Sequence, residues 1–222
     1  MRSPKSFGIK PVEPEVDFAA VNDHVHAVIK AIEPNDSVER FTGLGVNVIQ
    51  AAGEFVDKDT VRAGEYLIKA RRFVIATGSS PVVPPIPGLD ETPHFTNETL
   101  FDNRERPGHL IIVGGGPIGS EMSQAFNRLG TKVSVVDMAP QILIREDEDM
   151  SAILNEVLRS EGVDLHLNST IEEVNDLGNE KEVKIKVNCP CGHSYPIVLE
   201  RRRHYRKPVD LVGTYIFLVP GG

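Results

Sequence analysis

A glycine-rich turn between an apolar strand and a helix is the feature of this sequence best suited to binding chemistry. Gly114 and Gly116 lie between an apolar run that ends at Val113 and an amphipathic stretch at residues 117–129, and Gly119 is near the start of that stretch. In a G-x-G-x-x-G turn the first glycine makes a tight bend. The second lets a pyrophosphate approach the backbone, and the third lets the helix pack close to the strand. Since a helix N-terminus also favours phosphate, the pattern predicts a dinucleotide site.

An acidic residue after the next apolar run bears on which dinucleotide would bind. Asp137 follows residues 133–136 and lies about 20 residues beyond Gly116, the distance typical of this motif. A carboxylate there can accept hydrogen bonds from an adenosine ribose and would repel a 2′-phosphate, which favours NAD over NADP. The alternatives are a glycine turn that serves packing only and an ordinary solvated loop acid.

The elements that must position these residues predict an α/β fold. Strands are expected at residues 110–113, 132–136 and 163–167, and helices at residues 117–129 and about 147–160. Alternation of this kind is typical of right-handed βαβ units on a parallel sheet, so a Rossmann-like domain is predicted.

The first part of the chain predicts a helix followed by a small β-meander. Asp17 can cap a helix whose apolar residues follow helical spacing up to Pro34. Short β-like runs follow at residues 46–49, 53–56, 60–63, 66–69 and 72–76. The proline-rich stretch at residues 81–88 cannot form a helix or a central strand, and it is interpreted as a crossing between two domains.

Composition excludes several classes of protein. The 222 residues carry a formal net charge of −8, which disfavours nucleic acid and anionic membrane surfaces as partners. No apolar run approaches the roughly 20 residues that cross a bilayer, so a cytoplasmic protein is the expectation. Cys189 and Cys191 are the only cysteines, too few and too close for a secreted disulfide framework.

Three motifs in this order resemble one protein family. They are Phe-Val-Ile-Ala-Thr-Gly-Ser-Ser-Pro at residues 73–81, Ile-Pro-Gly at 86–88 and Val-Gly-Gly-Gly-Pro-Ile-Gly-Ser-Glu at 113–121. Together they resemble the class I pyridine nucleotide-disulfide oxidoreductases, flavoproteins that include dihydrolipoamide dehydrogenases and mercuric-reductase-like proteins. The resemblance covers roughly residues 18–187. It implies FAD in one Rossmann-like domain, NAD(P)H in a second domain inserted within it, and electron flow from nicotinamide through flavin to a disulfide.

The resemblance also assigns residues to cofactors. Residues 76–78 fall on the family's A-T-G motif at a strand end against the flavin, and Glu121 falls where the family places an acid near the nicotinamide. The alternatives are a strand that ends at a glycine turn and an exposed acid that complements the helix dipole. Pro117 stands where many relatives have an aromatic gate, so no gate is assigned. The predicted cofactor residues are Gly114, Gly116, Pro117, Ile118, Gly119, Glu121 and Asp137 for NAD, and Ala76, Thr77 and Gly78 for FAD.

Other motifs of the family do not occur in this sequence. These are a glycine motif for FAD, a Cys-x4-Cys redox pair, a late His-Glu pair and the dimerisation domain through which relatives form homodimers. The chain is therefore expected to be an internal piece of such an enzyme, with no catalytic residues of its own. The expected division is a partial FAD-binding segment at 1–95, an NAD(P)-binding Rossmann domain at 96–188 and an atypical basic tail at 189–222. The tail is interpreted as out of frame, or alternatively as a metal site built on Cys189, Cys191 and His193, with His204 as a further candidate ligand.

These observations lead to two functional hypotheses. The first is an FAD-dependent NAD(P)H oxidoreductase that passes hydride from nicotinamide to flavin and then to a disulfide or similar acceptor, the 222-residue chain being inactive alone. The second is a non-catalytic NAD(H)-binding module that needs a partner chain. A third, structural hypothesis is that the first 90 residues form an incomplete half-domain, which needs another chain to cover its exposed apolar surface.

Overall fold

The structure, a computed structural model, describes Gly8 and residues 15–178, 181–188 and 194–199, the last six by their backbone only. The chain divides into two units. One consists of residues up to Asn22 and from Pro81 onward, and the other is Asp23–Ser80. Apart from the backbone of residues 194–199, the predicted tail with its cysteines and histidines lies outside the described residues. Among those residues, none of the helices has the length and apolar character that a membrane span requires.

The helices of the first part begin at side-chain caps. Helix α1 (Phe18–Ile32) starts at Asp17, whose Oδ1 accepts a hydrogen bond from the Ala20 N–H at 3.0 Å. This is the predicted start, and the helix ends before Pro34 as expected. A 3₁₀ turn (Glu33–Asp36) leads into the short helix α2 (Val38–Gly43), which the sequence analysis did not predict.

An antiparallel meander makes up the rest of the unit Asp23–Ser80. Its strands are β1 (Gly53–Asp57), β2 (Thr60–Ala63) and β3 (Tyr66–Lys69), which confirms three of the five predicted runs. The strands predicted at residues 46–49 and 72–76 are wrong, because neither segment pairs with a strand among the described residues. Val74 and Ile75 are 91% and 74% exposed. Their β propensity therefore has no neighbouring strand among the described residues to pair with.

A parallel sheet carries the predicted βαβ pattern. The elements are β4 (His109–Val113), α3 (Pro117–Arg128), β5 (Lys132–Val136), α4 (Glu148–Ser160) and β6 (Asp164–His166). The strands lie in the order β4-β5-β6, and both neighbouring pairs are parallel, which confirms the predicted α/β fold. Leu110, Val133 and Val135 are fully buried in its core.

A second antiparallel sheet, which the sequence analysis did not predict, follows the parallel one. It contains β7 (Ser169–Asp176), β8 (Lys181–Asn188) and β9 (Ser194–Leu199) in that order. The proline-rich segment contacts this sheet, since the Val174 N–H donates a hydrogen bond to the Pro87 carbonyl at 2.9 Å. Gly88 beside it has φ +80°, and a Cβ there would lie 1.9 Å from the Val174 oxygen. Only glycine fits this approach of the two backbones.

Candidate dinucleotide-binding site

The glycine turn connects the end of β4 to the start of α3. Gly114 has φ +100°, a conformation that L side chains rarely adopt, and its N–H donates to the Val136 carbonyl of β5 at 2.9 Å. Gly116 is the N-cap of α3 in an extended conformation, and Pro117 occupies the first turn. Proline suits that position because its missing N–H would have no partner inside the helix. The chain therefore bends sharply at the first glycine and enters the helix at the second.

The other two glycines of the motif, Gly116 and Gly119, differ in how closely other atoms of the chain surround them. A Cβ on Gly119 would lie 2.0 Å from the Gly114 oxygen, so the close approach of α3 to the turn requires glycine. Apart from its two chain neighbours, a Cβ on Gly116 would meet no atom within 4 Å. The third glycine is thus explained by packing within the chain. The second is not, and the space beside it is open to a ligand.

At the N-terminus of α3, backbone N–H groups lack acceptors within the helix. The first hydrogen bond from an N–H to the carbonyl four residues earlier runs from Ser120 to Gly116, at 2.9 Å. The preceding N–H groups of Ile118 and Gly119 fall in the first turn, where an α-helix supplies no acceptor. Together with the helix dipole they form a region that favours a phosphate group.

Asp137 lies at the carboxyl end of β5, beside the turn. Its Oδ2 accepts a hydrogen bond from the Gly115 N–H at 2.6 Å, and its Oδ1 accepts one from the Ala139 N–H at 2.8 Å. The carboxylate is partly buried, and each oxygen retains a further lone pair. The side chain therefore both anchors the turn and keeps the capacity to accept a hydroxyl hydrogen bond.

A cavity of about 400 Å³ opens next to the turn and the first turns of α3. Its volume is within the range of small-molecule sites, which is roughly 300–1,000 Å³. The wall is mainly apolar and includes Val83, Leu89, Phe95, Ile112 and Met122, with His94 and Asn97 among its polar members. The glycine turn supplies one side of this cavity, so the predicted motif and the cavity form a single candidate site.

The remaining predicted residues fall in two places. Pro117, Ile118 and Glu121 are exposed in the first turns of α3, in the same unit as the glycines and Asp137. Residues 76–78 belong to the unit Asp23–Ser80, where they are exposed and lie outside any helix or strand, and Gly78 has φ +66°. The seven residues predicted for NAD thus lie within one unit, and the three predicted for FAD do not belong to it.

Two features of the site were missed by the sequence analysis. Gly115 occupies an unspecified position of the motif, yet a Cβ there would lie 2.9 Å from Cγ2 of Ile142. The run of three consecutive glycines was the signal in the sequence that could have identified it.

The second missed feature is His166, the last residue of β6, which lies beside β5 in the sheet. Its carbonyl accepts a hydrogen bond from the Asp137 N–H at 2.9 Å. Burial lowers the pKa of His166 to about 4, although the nearby Asp164 carboxylate acts in the opposite direction.

Known proteins are similar to this chain in sequence and in fold. The family described as "Pyridine nucleotide-disulphide oxidoreductase" matches residues 9–199. Mercuric reductase from Bacillus cereus is 30% identical over 181 residues, which cover 82% of this chain and 29% of the relative. The probable pyridine nucleotide-disulfide oxidoreductase RclA of Escherichia coli is 37% identical over 143 residues, 62% of this chain and 32% of the relative. A solved structure of the HOCl-induced flavoprotein disulfide reductase RclA from Escherichia coli matches with a TM-score of 0.67 and 31% identity, covering 83% of this chain and 41% of that one. The chain therefore spans about a third of the length of these curated relatives.

Proposed function

The chain belongs to the pyridine nucleotide-disulphide oxidoreductase family, and from that premise we propose that it binds NAD(H) as part of an FAD-dependent NAD(P)H oxidoreductase. In such an enzyme the bound nicotinamide and flavin supply the hydride transfer, and the electrons continue to a disulfide or similar acceptor. The contribution proposed for this chain is to hold and orient the nicotinamide dinucleotide.

The open space beside Gly116 is the observation that supports this proposal most directly. Gly114 is explained by its positive φ, and Gly115 and Gly119 are explained by close contacts inside the chain. Gly116 has a negative φ, and a Cβ there would contact no atom within 4 Å beyond its two chain neighbours. We assign the pyrophosphate to this space, with the N–H groups of Ile118 and Gly119 as donors. The apolar cavity next to it would take the part of the dinucleotide that continues past the pyrophosphate.

The remaining lone pairs of Asp137 support a preference for NAD over NADP. Its carboxylate would accept the ribose hydroxyls and would repel a 2′-phosphate at the same position. Glu121, exposed in the first turns of α3, is proposed to lie near the nicotinamide, as the family resemblance implies. These two acids would then act on opposite halves of the ligand.

The residues expected at the flavin fit that group only in part. Residues 76–78 are exposed and lie outside any helix or strand, and Val74 and Ile75 just before them are 91% and 74% exposed. The described residues of this unit therefore do not enclose a flavin by themselves, and no step of flavin chemistry is assigned to them. We accordingly expect no disulfide reductase turnover from the 222-residue chain alone.

The same exposure favours a second candidate, a non-catalytic NAD(H)-binding module that works with a partner chain. The only cysteines of the sequence, Cys189 and Cys191, are separated by one residue and do not form the Cys-x4-Cys redox pair. A module of this kind would keep the glycine turn and Asp137 and would lack the electron acceptor.

Titration of the purified chain with NADH, followed by nicotinamide fluorescence and by absorbance in the flavin region, tests both candidates. Binding of NADH without flavin absorbance favours the module. Stoichiometric flavin with NADH-dependent disulfide reduction favours the complete oxidoreductase and contradicts the expected inactivity. A chain that binds neither NADH nor NADPH refutes both candidates, because both depend on the glycine turn.

A further inference from the structure

The segment at residues 137–143, which follows β5, holds Gly115 from several directions. We propose that this segment, termed the clamp, keeps the glycine turn in its binding geometry and that Ile142 and Leu143 are positioning residues for the dinucleotide. The inference rests on the proposed NAD(H) site and adds residues that neither the glycine motif nor the ribose acid includes.

The clamp satisfies both backbone polar groups of Gly115. The Gly115 N–H donates to Oδ2 of Asp137 at 2.6 Å, and the Gly115 carbonyl accepts the Leu143 N–H at 2.8 Å. The hydroxyl of Ser120 donates to the same carbonyl at 3.2 Å. Gly115 therefore has no N–H left for a phosphate, and its bonds fix the peptide that leads directly into Gly116.

Side-chain packing closes the remaining face of Gly115. Ile142 is fully buried, and its Cγ2 would lie 2.9 Å from a Cβ on Gly115. Its Cα and Cβ would each lie 3.3 Å from that same position. The isoleucine thus packs directly against the turn, and a change in volume on either side must displace the other.

Leu143 is held in a conformation that leucine seldom adopts. Its φ is +51°, in the left-handed region, where a non-glycine residue persists only if its surroundings fix it. Its carbonyl accepts the Glu146 N–H at 2.8 Å and the Ser151 hydroxyl at 3.3 Å, and Ser151 is fully buried in α4. Bonds on both sides of Leu143 therefore link α4 through the clamp to the glycine turn.

Matched substitutions at Ile142 and at Ile185, a buried isoleucine of β8, test this role. In the full chain, Ile142→Ala removes Cγ2, and we expect NADH to bind about tenfold more weakly, comparable to the loss of one ordered hydrogen bond. Ile142→Val keeps the equivalent of Cγ2 and should bind NADH like the parent. Ile185→Ala empties a fully buried site in β8 and should lower the melting temperature with little change in affinity.

A double variant makes the test independent of simple cavity effects. Gly115→Ala alone should weaken NADH binding, because its methyl group would meet Ile142. Adding Ile142→Ala makes room, so the double variant should lose less affinity than the two single losses combined. If Ile142→Ala does not fold, Ser151→Ala, which removes one bond to Leu143, should still weaken NADH binding about threefold.

The results separate the clamp from the proposed function. A parent chain that does not bind NADH refutes the NAD(H) site and the clamp with it. A parent that binds NADH, together with Ile142→Ala and Ser151→Ala variants of parental affinity, refutes the clamp alone. Equal losses of affinity in Ile142→Ala and Ile185→Ala, or strictly additive losses in the double variant, also refute it.

Discussion

Adding one methyl group at either of two glycines in the turn should produce two different defects. Gly116→Ala should weaken NADH binding and leave stability nearly unchanged. Gly119→Ala should lower stability, because its Cβ would lie 2.0 Å from the Gly114 oxygen. A Cβ on Gly116 would meet no atom within 4 Å beyond its two chain neighbours. The pair therefore separates a glycine kept for the ligand from a glycine kept for the fold.

The contact distances set the size of each effect. At Gly119 the methyl and the Gly114 oxygen must separate by about 1 Å to reach even a tight contact, and the obstacle is backbone that cannot rotate away. Overpacking costs about 1–3 kcal/mol, and a backbone obstacle places this case near 3 kcal/mol. For a chain of this size that lowers the melting temperature by roughly 6–12 °C.

At Gly116 the backbone angles are φ −69° and ψ −175°, which alanine adopts without strain. The entropic gain of about 0.4–1 kcal/mol from replacing a glycine roughly offsets the small loss at a helix N-cap. The melting temperature should therefore stay within about 2 °C of the parent. If the pyrophosphate occupies this space, affinity for NADH should fall at least about tenfold, or about 1.4 kcal/mol.

Thermal melting without ligand and fluorescence titration with NADH measure the two quantities on the same samples. Parental NADH affinity in Gly116→Ala would show that the open space is not where the pyrophosphate binds. An unchanged melting temperature in Gly119→Ala would contradict the packing explanation of the third glycine. Gly116→Val, which adds a larger side chain to the same space, should weaken NADH binding further than Gly116→Ala.

Three further predictions concern other parts of the same unit. Asp137→Ala should reduce the preference for NADH over NADPH, and an unchanged ratio of dissociation constants would remove this carboxylate from the ribose. Gly88→Ala should lower the melting temperature by roughly 5–10 °C, since φ is +80° and the Cβ would lie 1.9 Å from the Val174 oxygen; a parental melt would contradict this contact. Lowering the pH from 7 to 4 should destabilise the parent by up to about 3 kcal/mol more than His166→Gln. Burial lowers the folded-state pKa of His166 to about 4, whereas the unfolded chain takes up the proton near pH 6.5, so stability is lost as the pH falls through this range. Denaturant titrations at both pH values measure the difference, and equal pH dependence in the two proteins would exclude His166 as its source.

Local patterns predicted the elements around the turn because each element carries its own signals. The apolar run at β4, the glycines and the helical spacing of α3 all lie within about 20 consecutive residues. The cap at Asp17 is likewise a contact between residues three apart. Such signals do not depend on how distant segments pair, so α3, α4 and the parallel strands were predicted to within one or two residues.

Strand pairing and the surroundings of the turn depend on distant segments, and there the sequence was insufficient. Residues 72–76 have the composition of a strand, but a strand exists only with a partner, and among the described residues they have none. Conversely, nothing in the sequence around Ile142 marks it as the residue that requires glycine at position 115. That requirement arises only when β5 lies beside β4 and brings the segment after Asp137 over the turn. The G-x-G-x-x-G motif therefore specifies Gly114, Gly116 and Gly119. It does not specify Gly115, which must be glycine because Ile142 of a neighbouring loop packs against it.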